Sequence, residues 1–260
     1  MASERSSAES RSSHLSSDPS IIGTDAAANS MWEESFDTEN HGAAMASRVT
    51  CRVLAMDLRG HGVTQVRHAD DLSTQTMSRD VANVVRATYG EIPPPIILVG
   101  HNVGGAIAVH AAGGALLPSV VGLVAIDVVE GEKHCVICHK PASRNRCACV
   151  LQPCSVYSWR IDLSKAEKYW DGWFRGISNL FLSCNVPKLL LLAGIDRLDR
   201  DLTIGQMQGK FMMQVLPPCG HAVHEDIPDK VADALASFMI RHKFAEARSE
   251  TKSSSYPFMR

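Results

Sequence analysis

Hydrophobic residues along this chain are gathered into short runs, separated by polar stretches that are rich in Gly and Pro. Within most runs nearly every position is apolar, which is typical of parallel strands buried on both faces of a sheet. Pro residues precede two of the runs and prevent a helix from extending into them. The predicted strands are 52–57, 96–100, 120–129, 188–193 and 211–216.

Between the predicted strands, apolar residues recur at the three- and four-residue spacing of an amphipathic helix. Met77, Val81 and Val84 follow this spacing in the first such segment. Helices are predicted over 76–89, 104–115 and 228–244, and one or two shorter helices within 166–182. Strands that alternate with helices predict an α/β fold with a mostly parallel sheet flanked by helices.

Three parts of the chain lack either pattern. Residues 1–47 contain too few large apolar side chains to offset the entropy of ordering, and they are predicted to be a disordered or divergent segment. Residues 132–157 are predicted to be an irregular Cys-rich insert, and 246–260 a flexible tail. The core is therefore predicted in two parts, 48–131 and 186–245, with cap helices between them at 158–185.

Composition narrows the classes of function. Hydrophobic residues make up 45% of the chain and charged residues 21%, as in ordinary soluble globular proteins. A formal net charge of -2 gives no polyelectrolyte signature, which argues against nucleic acid or a membrane surface as partner. No apolar stretch is long enough to span a bilayer, and the amino terminus lacks the apolar centre of a secretory signal. The sequence thus predicts an intracellular protein of the cytoplasm or nucleus.

The eight cysteines are unevenly distributed. Cys51, Cys184 and Cys219 lie in apolar contexts and are predicted to be small buried hydrophobes. The other five crowd one segment, where two nearby histidines add zinc-like ingredients, but the spacing between the Cys pairs is too short for a standard zinc site. No metal is predicted. The residues of this cluster are Cys135, Cys138, Cys147, Cys149 and Cys154, with His134 and His139.

The segment Gly100-His-Asn-Val-Gly104 follows a buried strand and precedes a helix of small residues. This is the context of the nucleophile elbow G-x-S-x-G, whose glycines permit a turn too tight for side chains. The middle residue is Asn102, and a carboxamide has no ionisable proton and is a very poor nucleophile. Two other interpretations stay open: a Gly-rich turn of a nucleotide-binding fold, and deamidation of Asn102 to an Asp nucleophile.

The other two members of a hydrolytic triad have candidates in the expected chain order. His221 follows the last predicted strand and is the natural general base, with His224 as a competitor that more often would have a surface or capping role. The acid would come from the carboxyl end of a strand, where Asp127, Asp196 and Asp199 all lie. Spacing alone does not choose among these three carboxylates.

Several long stretches of the chain resemble the protein phosphatase methylesterases of the α/β-hydrolase superfamily. The resemblance covers roughly 48–131 and 157–246. It rests on CRVLAMDLR at 51–59, PPPI at 93–96, GGAIAVH at 104–110, IDVVEG at 126–131, EKYWDGWFRG at 167–176, DLTIGQMQGK at 201–210 and CGHAVHED at 219–226.

The resemblance implies an α/β-hydrolase fold and the hydrolysis of a carboxyl methyl ester on the carboxyl-terminal leucine of the type-2A protein phosphatase catalytic subunit. It implies a triad of the residue at position 102, Asp127 and His221, and therefore favours Asp127 over the other carboxylates. The backbone N–H of Val103 would stabilise the oxyanion. Neither a metal nor an organic cofactor is implied.

Three departures from the family pattern change the expected function. Asn102 stands where the family has Ser, and no strand with a His-Gly-Gly-Gly loop precedes residue 48. The sheet is therefore predicted to lack N-terminal strands, including one between 52–57 and 96–100. The insert 132–156 replaces a longer cap. The expected function is a methylesterase-like carboxylesterase impaired by Asn102; the alternatives are a catalytically silent phosphatase-binding relative and a defective gene product.

Overall fold

The computed structural model describes residues 20–25, 44–61, 64–128, 130, 165–195 and 198–248. Its strands coincide closely with the apolar runs of the sequence, because those runs supply side chains to both faces of the sheet. One strand, the first, was not predicted. The strands are β1 Ser20–Asp25, β2 Arg52–Asp57, β3 Ile96–His101, β4 Val120–Ile126, β5 Lys188–Leu192 and β6 Met212–Val215.

The six strands form one parallel sheet in the order β2-β1-β3-β4-β5-β6. β1 pairs with β2 on one side and with β3 on the other, and all six of its residues have a partner on each side. The prediction that the strand between 52–57 and 96–100 is missing is therefore wrong. The backbone groups of β2 and β3 require hydrogen-bond partners, and residues from the predicted disordered segment supply them.

Helices cover both faces of the sheet. α1, α2, α4 and the aromatic end of α3 pack on one face, while α7 packs on the other. The predicted helices are all present, with boundaries shifted by a few residues. The helices are α1 Thr74–Tyr89, α2 Asn102–Gly113, α3 Glu167–Phe174, α4 Ile177–Ser183, α5 Arg200–Met207, α6 Val223–Asp226 and α7 Pro228–Arg241. Of these, α5 and α6 were not predicted from the sequence.

Strand β3 is the centre of the core. All six of its residues are buried, and alternate side chains enter opposite hydrophobic clusters. Ile96 and Leu98 pack with α1 and α2, whereas Ile97 and Val99 pack with Phe238 of α7. A strand buried in this way has little freedom to shift its register, so the residues at its carboxyl end are held in fixed positions.

The loop before α1 is fixed from two sides. The buried guanidinium of Arg59 forms a two-pronged ion pair with Asp80 of α1, at 2.6 and 2.9 Å, and donates to the carbonyl of His68 at 3.0 Å. From α3, the indole of Trp173 donates to the carbonyl of Leu72 at 2.7 Å. The cap helix is thereby attached to the core by buried polar contacts as well as by apolar packing.

The aromatic residues of the cap mostly serve packing. Trp173 and Phe174 are buried, and Tyr169 and Trp170 are partly buried against the same cluster. The nearby basic residues have local partners: Arg175 pairs with Asp171 one helical turn away. These contacts agree with the ordinary packing role of such residues.

Several predictions fall on residues that the structure does not describe. The Cys-rich insert 132–157 lies within 131–164, and most of the N-terminal segment and of the tail also lie outside the described residues. The tail differs from the prediction at its start, since Ala247 pairs with Val49 in an antiparallel bridge. Within the described part of the chain, no helix has the length and apolar character needed to cross a membrane.

Candidate active site

The turn from β3 to α2 forms a sharp elbow. A Cβ atom built on Gly100 would lie 2.3 Å from the carbonyl oxygen of Gly104, and one on Gly105 would lie 2.7 Å from the carbonyl oxygen of Gly100. Both contacts are with backbone, which has no room to move, so only glycine fits at either position. Gly105 is a requirement of this turn that the five-residue motif does not reveal.

Asn102 lies at the apex of the elbow with φ 49°, in the left-handed region. Asn tolerates this conformation better than most residues that carry a side chain. The residue is 2% exposed and begins α2, at the carboxyl end of a central strand. The backbone thus presents the side chain of residue 102 at the edge of the sheet where sites of α/β proteins are built.

The Asn102 side chain is hydrogen-bonded to His221. Its amide nitrogen Nδ2 lies 2.9 Å from His221 Nε2. An amide NH₂ group can only donate, so Nε2 of His221 is the acceptor and carries no proton. A serine hydroxyl at the same apex would donate to the same nitrogen. Asn102 therefore reproduces the resting hydrogen bond of a nucleophilic serine without its reactivity.

Asp127 completes the line of hydrogen bonds. Its Oδ2 accepts from His221 Nδ1 at 2.6 Å, and its Oδ1 accepts from the backbone N–H of Ala193 at 3.1 Å. The carboxylate is fully buried, whereas the His221 side chain is 11% exposed. With Nδ1 donating to Asp127, Nε2 is left as the basic nitrogen that points to residue 102.

The other two candidate acids differ in their positions. Asp199 is the N-cap of α5: its Oδ1 accepts from the backbone N–H of Leu202 at 2.8 Å, and its Oδ2 accepts from the hydroxyl of Ser178. Asp196 lies outside the described residues. Of Asp127 and Asp199, the two candidate acids that the structure describes, Asp127 is the one hydrogen-bonded to His221.

The loop that carries His221 connects β6 to α6. The carboxylate of Asp226 accepts from the N–H of Gly220 at 2.5 Å, which closes the loop over six residues. His224 is 5% exposed, so it does not lie at the surface, which was one of the roles that its sequence context favours. A short helix turns its side chain inward toward the elbow, where its ring lies 4.7 Å from that of His101.

His101 is a site residue that the sequence analysis missed. It occupies the variable position before the nucleophile in the elbow motif, where any residue type satisfies the pattern. The structure buries it beneath the site, with its Nε2 2.9 Å from the backbone oxygen of His221. The two histidine rings are 4.5 Å apart. The sequence signal that could have found it is the presence of a histidine, a residue able to donate a hydrogen bond, next to the apex of the elbow.

Val103, the predicted oxyanion donor, is the second residue of α2. Amide groups in the first turn of a helix have no acceptor within the helix and point outward from its end. β1 ends beside the elbow, since Asp25 is in register with His101. The residues that follow β1 lie outside the described part of the chain.

The thiol of Cys219 lies two residues before His221. Burial, together with the carboxylates of Asp226 and Asp127, raises the pKa of the Cys219 thiol. Its Sγ donates to the carbonyl of Leu216 at 2.7 Å. The neutral thiol is a poor nucleophile and does not replace the missing serine. Within the described residues, no three side chains of His, Cys, Asp or Glu are placed to hold a metal ion.

The fold is shared with solved hydrolases. The chain matches the family model described as "Alpha/beta hydrolase family" over residues 23–234. E-2-(acetamidomethylene)succinate hydrolase superposes with a TM-score of 0.63 at 18% identity, covering 86% of this chain and 91% of that one. MenH from S. aureus superposes with a TM-score of 0.61 at 12% identity, covering 87% and 95% of the two chains. These likenesses confirm the predicted fold class.

Curated relatives are closer in sequence. Protein phosphatase methylesterase 1 of Bos taurus is 48% identical over 278 aligned residues, which cover 78% of this chain and 73% of the relative. The human protein of the same name is 48% identical over 78% of this chain and 72% of its own length. The Schizosaccharomyces pombe protein of that name is 38% identical over 73% and 66% of the two chains. The chain therefore belongs to the α/β-hydrolase family and, within it, to the protein phosphatase methylesterases.

Proposed function

We propose that this chain is a protein phosphatase methylesterase whose rate is limited by Asn102. Membership of the family makes the chain a carboxylic ester hydrolase that acts on a protein phosphatase. The substrate that we propose is the methyl ester on the carboxyl-terminal leucine of the type-2A phosphatase catalytic subunit. The observation that carries the proposal is the continuous line of hydrogen bonds from residue 102 through His221 to Asp127, at 2.9 and 2.6 Å.

The chemistry follows from this line when residue 102 is a serine. His221 Nε2 takes the hydroxyl proton as the serine oxygen attacks the ester carbonyl, and Asp127 stabilises the imidazolium that forms. The oxyanion is held by the N–H of Val103. As the bond between the carbonyl carbon and the methoxy oxygen breaks, the imidazolium gives its proton to that oxygen, and methanol leaves. Water, deprotonated by the same nitrogen, hydrolyses the acyl-enzyme and releases the free carboxylate.

Asn102 removes the first of these steps. Its amide nitrogen shares its lone pair with the carbonyl and forms no acyl-enzyme. Its NH₂ group also occupies the basic nitrogen of His221, at 2.9 Å, so a water molecule must displace it before His221 can act as a base. Catalysis without the nucleophile falls to the level that binding and oxyanion contacts alone provide.

The test is a demethylation assay on the natural chain beside Asn102→Ser, with the carboxyl-methylated phosphatase catalytic subunit as substrate. We expect Asn102→Ser to release methanol on the order of 10⁶-fold faster than the natural chain, the scale of effect known for loss of a triad nucleophile. Asn102→Ala is the matched control, since it likewise removes the amide from His221 Nε2 but supplies no nucleophile, and it should remain slow.

Two results would contradict the proposal. One is an Asn102→Ser protein with native circular dichroism that demethylates no faster than Asn102→Ala. The other is rapid demethylation by Asn102→Ala, which would assign the reaction to a residue other than 102. Adding His221→Gln to Asn102→Ser gives a further check, because it keeps a polar group near the elbow but removes the base.

Asn102 itself favours a second candidate function, that of a phosphatase-binding protein without esterase activity. Residue 102, His221 and Asp127 are joined by hydrogen bonds, yet the site lacks a nucleophile. A pull-down of the methylated phosphatase subunit separates the two candidates when it is run beside the demethylation assay. Retention of the subunit by the natural chain with its methyl ester intact supports the binding protein, and release of demethylated subunit supports the enzyme.

A further inference from the structure

Three histidine rings meet beneath the elbow. His101 lies between His221 and His224, with ring centroids 4.5 and 4.7 Å away. His101 and His224 are 6% and 5% exposed. The ester chemistry uses only the imidazole of His221, so these two buried imidazoles have no direct part in it. Burying a polar ring costs free energy unless the ring makes hydrogen bonds inside the protein. The buried histidine at position 101 therefore needs an explanation beyond packing.

The polarity of the contact between His101 and His221 is fixed by its chemistry. His101 Nε2 lies 2.9 Å from the backbone oxygen of His221. A carbonyl oxygen only accepts, so His101 carries a proton on Nε2 and donates it. The same carbonyl also accepts from the N–H of Val223 at 2.9 Å. Both lone pairs of this carbonyl are thus used, one by the loop itself and one by the elbow.

The ring of His221 needs a fixed main chain to be useful. Asp127 accepts from its Nδ1 and Asn102 donates to its Nε2, but both of these hydrogen bonds hold the ring and not the main chain of residue 221. The hydrogen bond from the N–H of Gly220 to Asp226 lies within the loop and does not reach the elbow. The hydrogen bond from His101 ties the main chain of residue 221 to the peptide that carries residue 102. A displacement of about 1 Å between base and nucleophile costs a hydrolase about 10²-fold in rate.

We propose that His101 is a positioning residue: its Nε2–H fixes the backbone of His221 to the elbow, so that one dipeptide sets both the nucleophile position and the base. His101 follows Gly100, whose backbone is immobile, and precedes Asn102, so its side chain and that of residue 102 leave the same rigid turn. The role in catalysis depends on the proposed function, whereas the structural coupling does not.

The test compares two amides that differ by one methylene. In His101→Gln the amide nitrogen reaches the place of the imidazole Nε2, whereas in His101→Asn it falls short. The readout is solvent exchange of the His221 Nδ1 proton, observed by proton NMR in the natural chain without substrate. We expect His101→Asn to speed this exchange about tenfold, as loss of one hydrogen bond to an opening loop would, and His101→Gln to restore the natural rate.

His110, in the helix α2 that follows the elbow, provides a matched control. Its Nε2 also contacts a backbone carbonyl, that of Trp173, at 3.1 Å, but this carbonyl belongs to the cap. His110→Asn removes a comparable bond and should leave exchange at His221 unchanged. Equal exchange in His101→Asn and the natural chain would overturn the proposal. Equally fast exchange in His101→Gln, or in His110→Asn, would overturn it as well, because the effect would then be one of packing or of general stability.

The same variants in the Asn102→Ser background report on catalysis. His101→Asn should lower kcat about 10²-fold with little change in KM, and His101→Gln should recover most of it. An unchanged kcat in His101→Asn would overturn the positioning role. Should Asn102→Ser lack activity altogether, the proposed function fails, while the exchange measurement still decides whether His101 couples the loop to the elbow.

Discussion

At the scale of single residues, the site depends on a buried carboxylate. Asp127 is fully buried and also has a positive φ of 50°, an unusual conformation that turns its side chain toward the neighbouring loop. Hydrogen bonds from His221 and from the N–H of Ala193 help to compensate its burial. The buried carboxylate accepts from Nδ1 of His221 and thereby selects the tautomer in which Nδ1 carries the proton.

Asp127→Asn tests this role. The new amide can present an NH₂ group to His221 Nδ1, which forces the proton onto Nε2 and removes the base. In the Asn102→Ser background, we expect kcat for methyl ester hydrolysis to fall about 10⁴-fold. Asp199→Asn is the control, since Asp199 caps α5 and does not touch the histidine. It should leave kcat unchanged and lower the free energy of unfolding by about 1 kcal/mol or less. Equal loss of kcat in both variants would contradict the assignment.

The site could be predicted from sequence only in part. The elbow and His221 are found from local patterns: a buried strand, two glycines and a histidine after the last strand. Asp127 was selected by family resemblance, because three carboxylates follow strands and spacing does not reveal which one faces the histidine. His101 was missed, since its role depends on a contact across 120 residues of sequence. Long-range hydrogen bonds of this kind leave no periodic signal in a chain.

At the scale of elements, the elbow is a rigid unit defined by close backbone approach. Gly100→Ala places a Cβ atom 2.3 Å from the carbonyl oxygen of Gly104, and relief requires α2 to move away from β3. We expect this variant to lose at least about 3 kcal/mol of unfolding free energy in denaturant titrations, the scale of severe overpacking.

The matched change is Gly172→Ala in α3, where a new Cβ atom meets no atom within 4 Å. Because alanine favours a helix more than glycine does, this variant should gain about 0.5–1 kcal/mol. Equal stability of Gly100→Ala and the natural chain would show that the elbow is looser than its contacts indicate.

The attachment of the cap to α2 predicts a pH dependence. Burial lowers the pKa of His110, whose Nε2 donates to the carbonyl of Trp173. The folded pKa lies below the unfolded value, so the unfolded chain binds more protons between the two. This contribution to stability is present above the ordinary histidine pKa of about 6.5 and is lost as pH falls through the folded pKa. His110→Gln should flatten the fall in thermal midpoint between about pH 7 and pH 5; an unchanged profile would contradict this.

At the scale of the whole molecule, the sheet depends on a strand that sequence patterns did not reveal. β1 is short, and only two adjacent isoleucines interrupt its polar surroundings, so its local signal is weak. Its order comes from pairing with β2 and β3 on both sides, which is a property of the assembled sheet. The longer apolar runs were predicted because each contains its own burial pattern. Tertiary pairing overrode the local preference of residues 20–25.

Ile22→Pro tests the importance of this strand. Proline removes a backbone donor from the middle of a strand that is paired on both edges, where proline is not normally tolerated. We expect the variant to lose its cooperative unfolding transition or to unfold at a much lower denaturant concentration, measured by circular dichroism. Ile22→Val keeps the donor and the branched side chain and should change stability by at most about 1.5 kcal/mol. A cooperative transition in Ile22→Pro like that of the natural chain would show that β1 is dispensable.

The same experiment bears on the origin of the chain. A defective gene product without a complete sheet would unfold gradually, whereas the six-stranded parallel sheet described above predicts a single sharp transition for the natural chain. Asn102 stands at the apex of the elbow, where the proposed chemistry requires a serine, but the described strands are continuous across the centre of the fold. We therefore expect a folded protein in which one substitution limits the chemistry.

The central claim is that the site is assembled around residue 102 and lacks only a nucleophile. A fluorophosphonate, which forms a covalent bond with serines activated by a neighbouring base, tests it most directly when followed by mass spectrometry of the labelled peptide. The account predicts that Asn102→Ser is labelled at residue 102, that labelling is lost when His221→Gln is added, and that the natural chain is not labelled there. A folded Asn102→Ser protein that takes up no label at residue 102 would contradict the account.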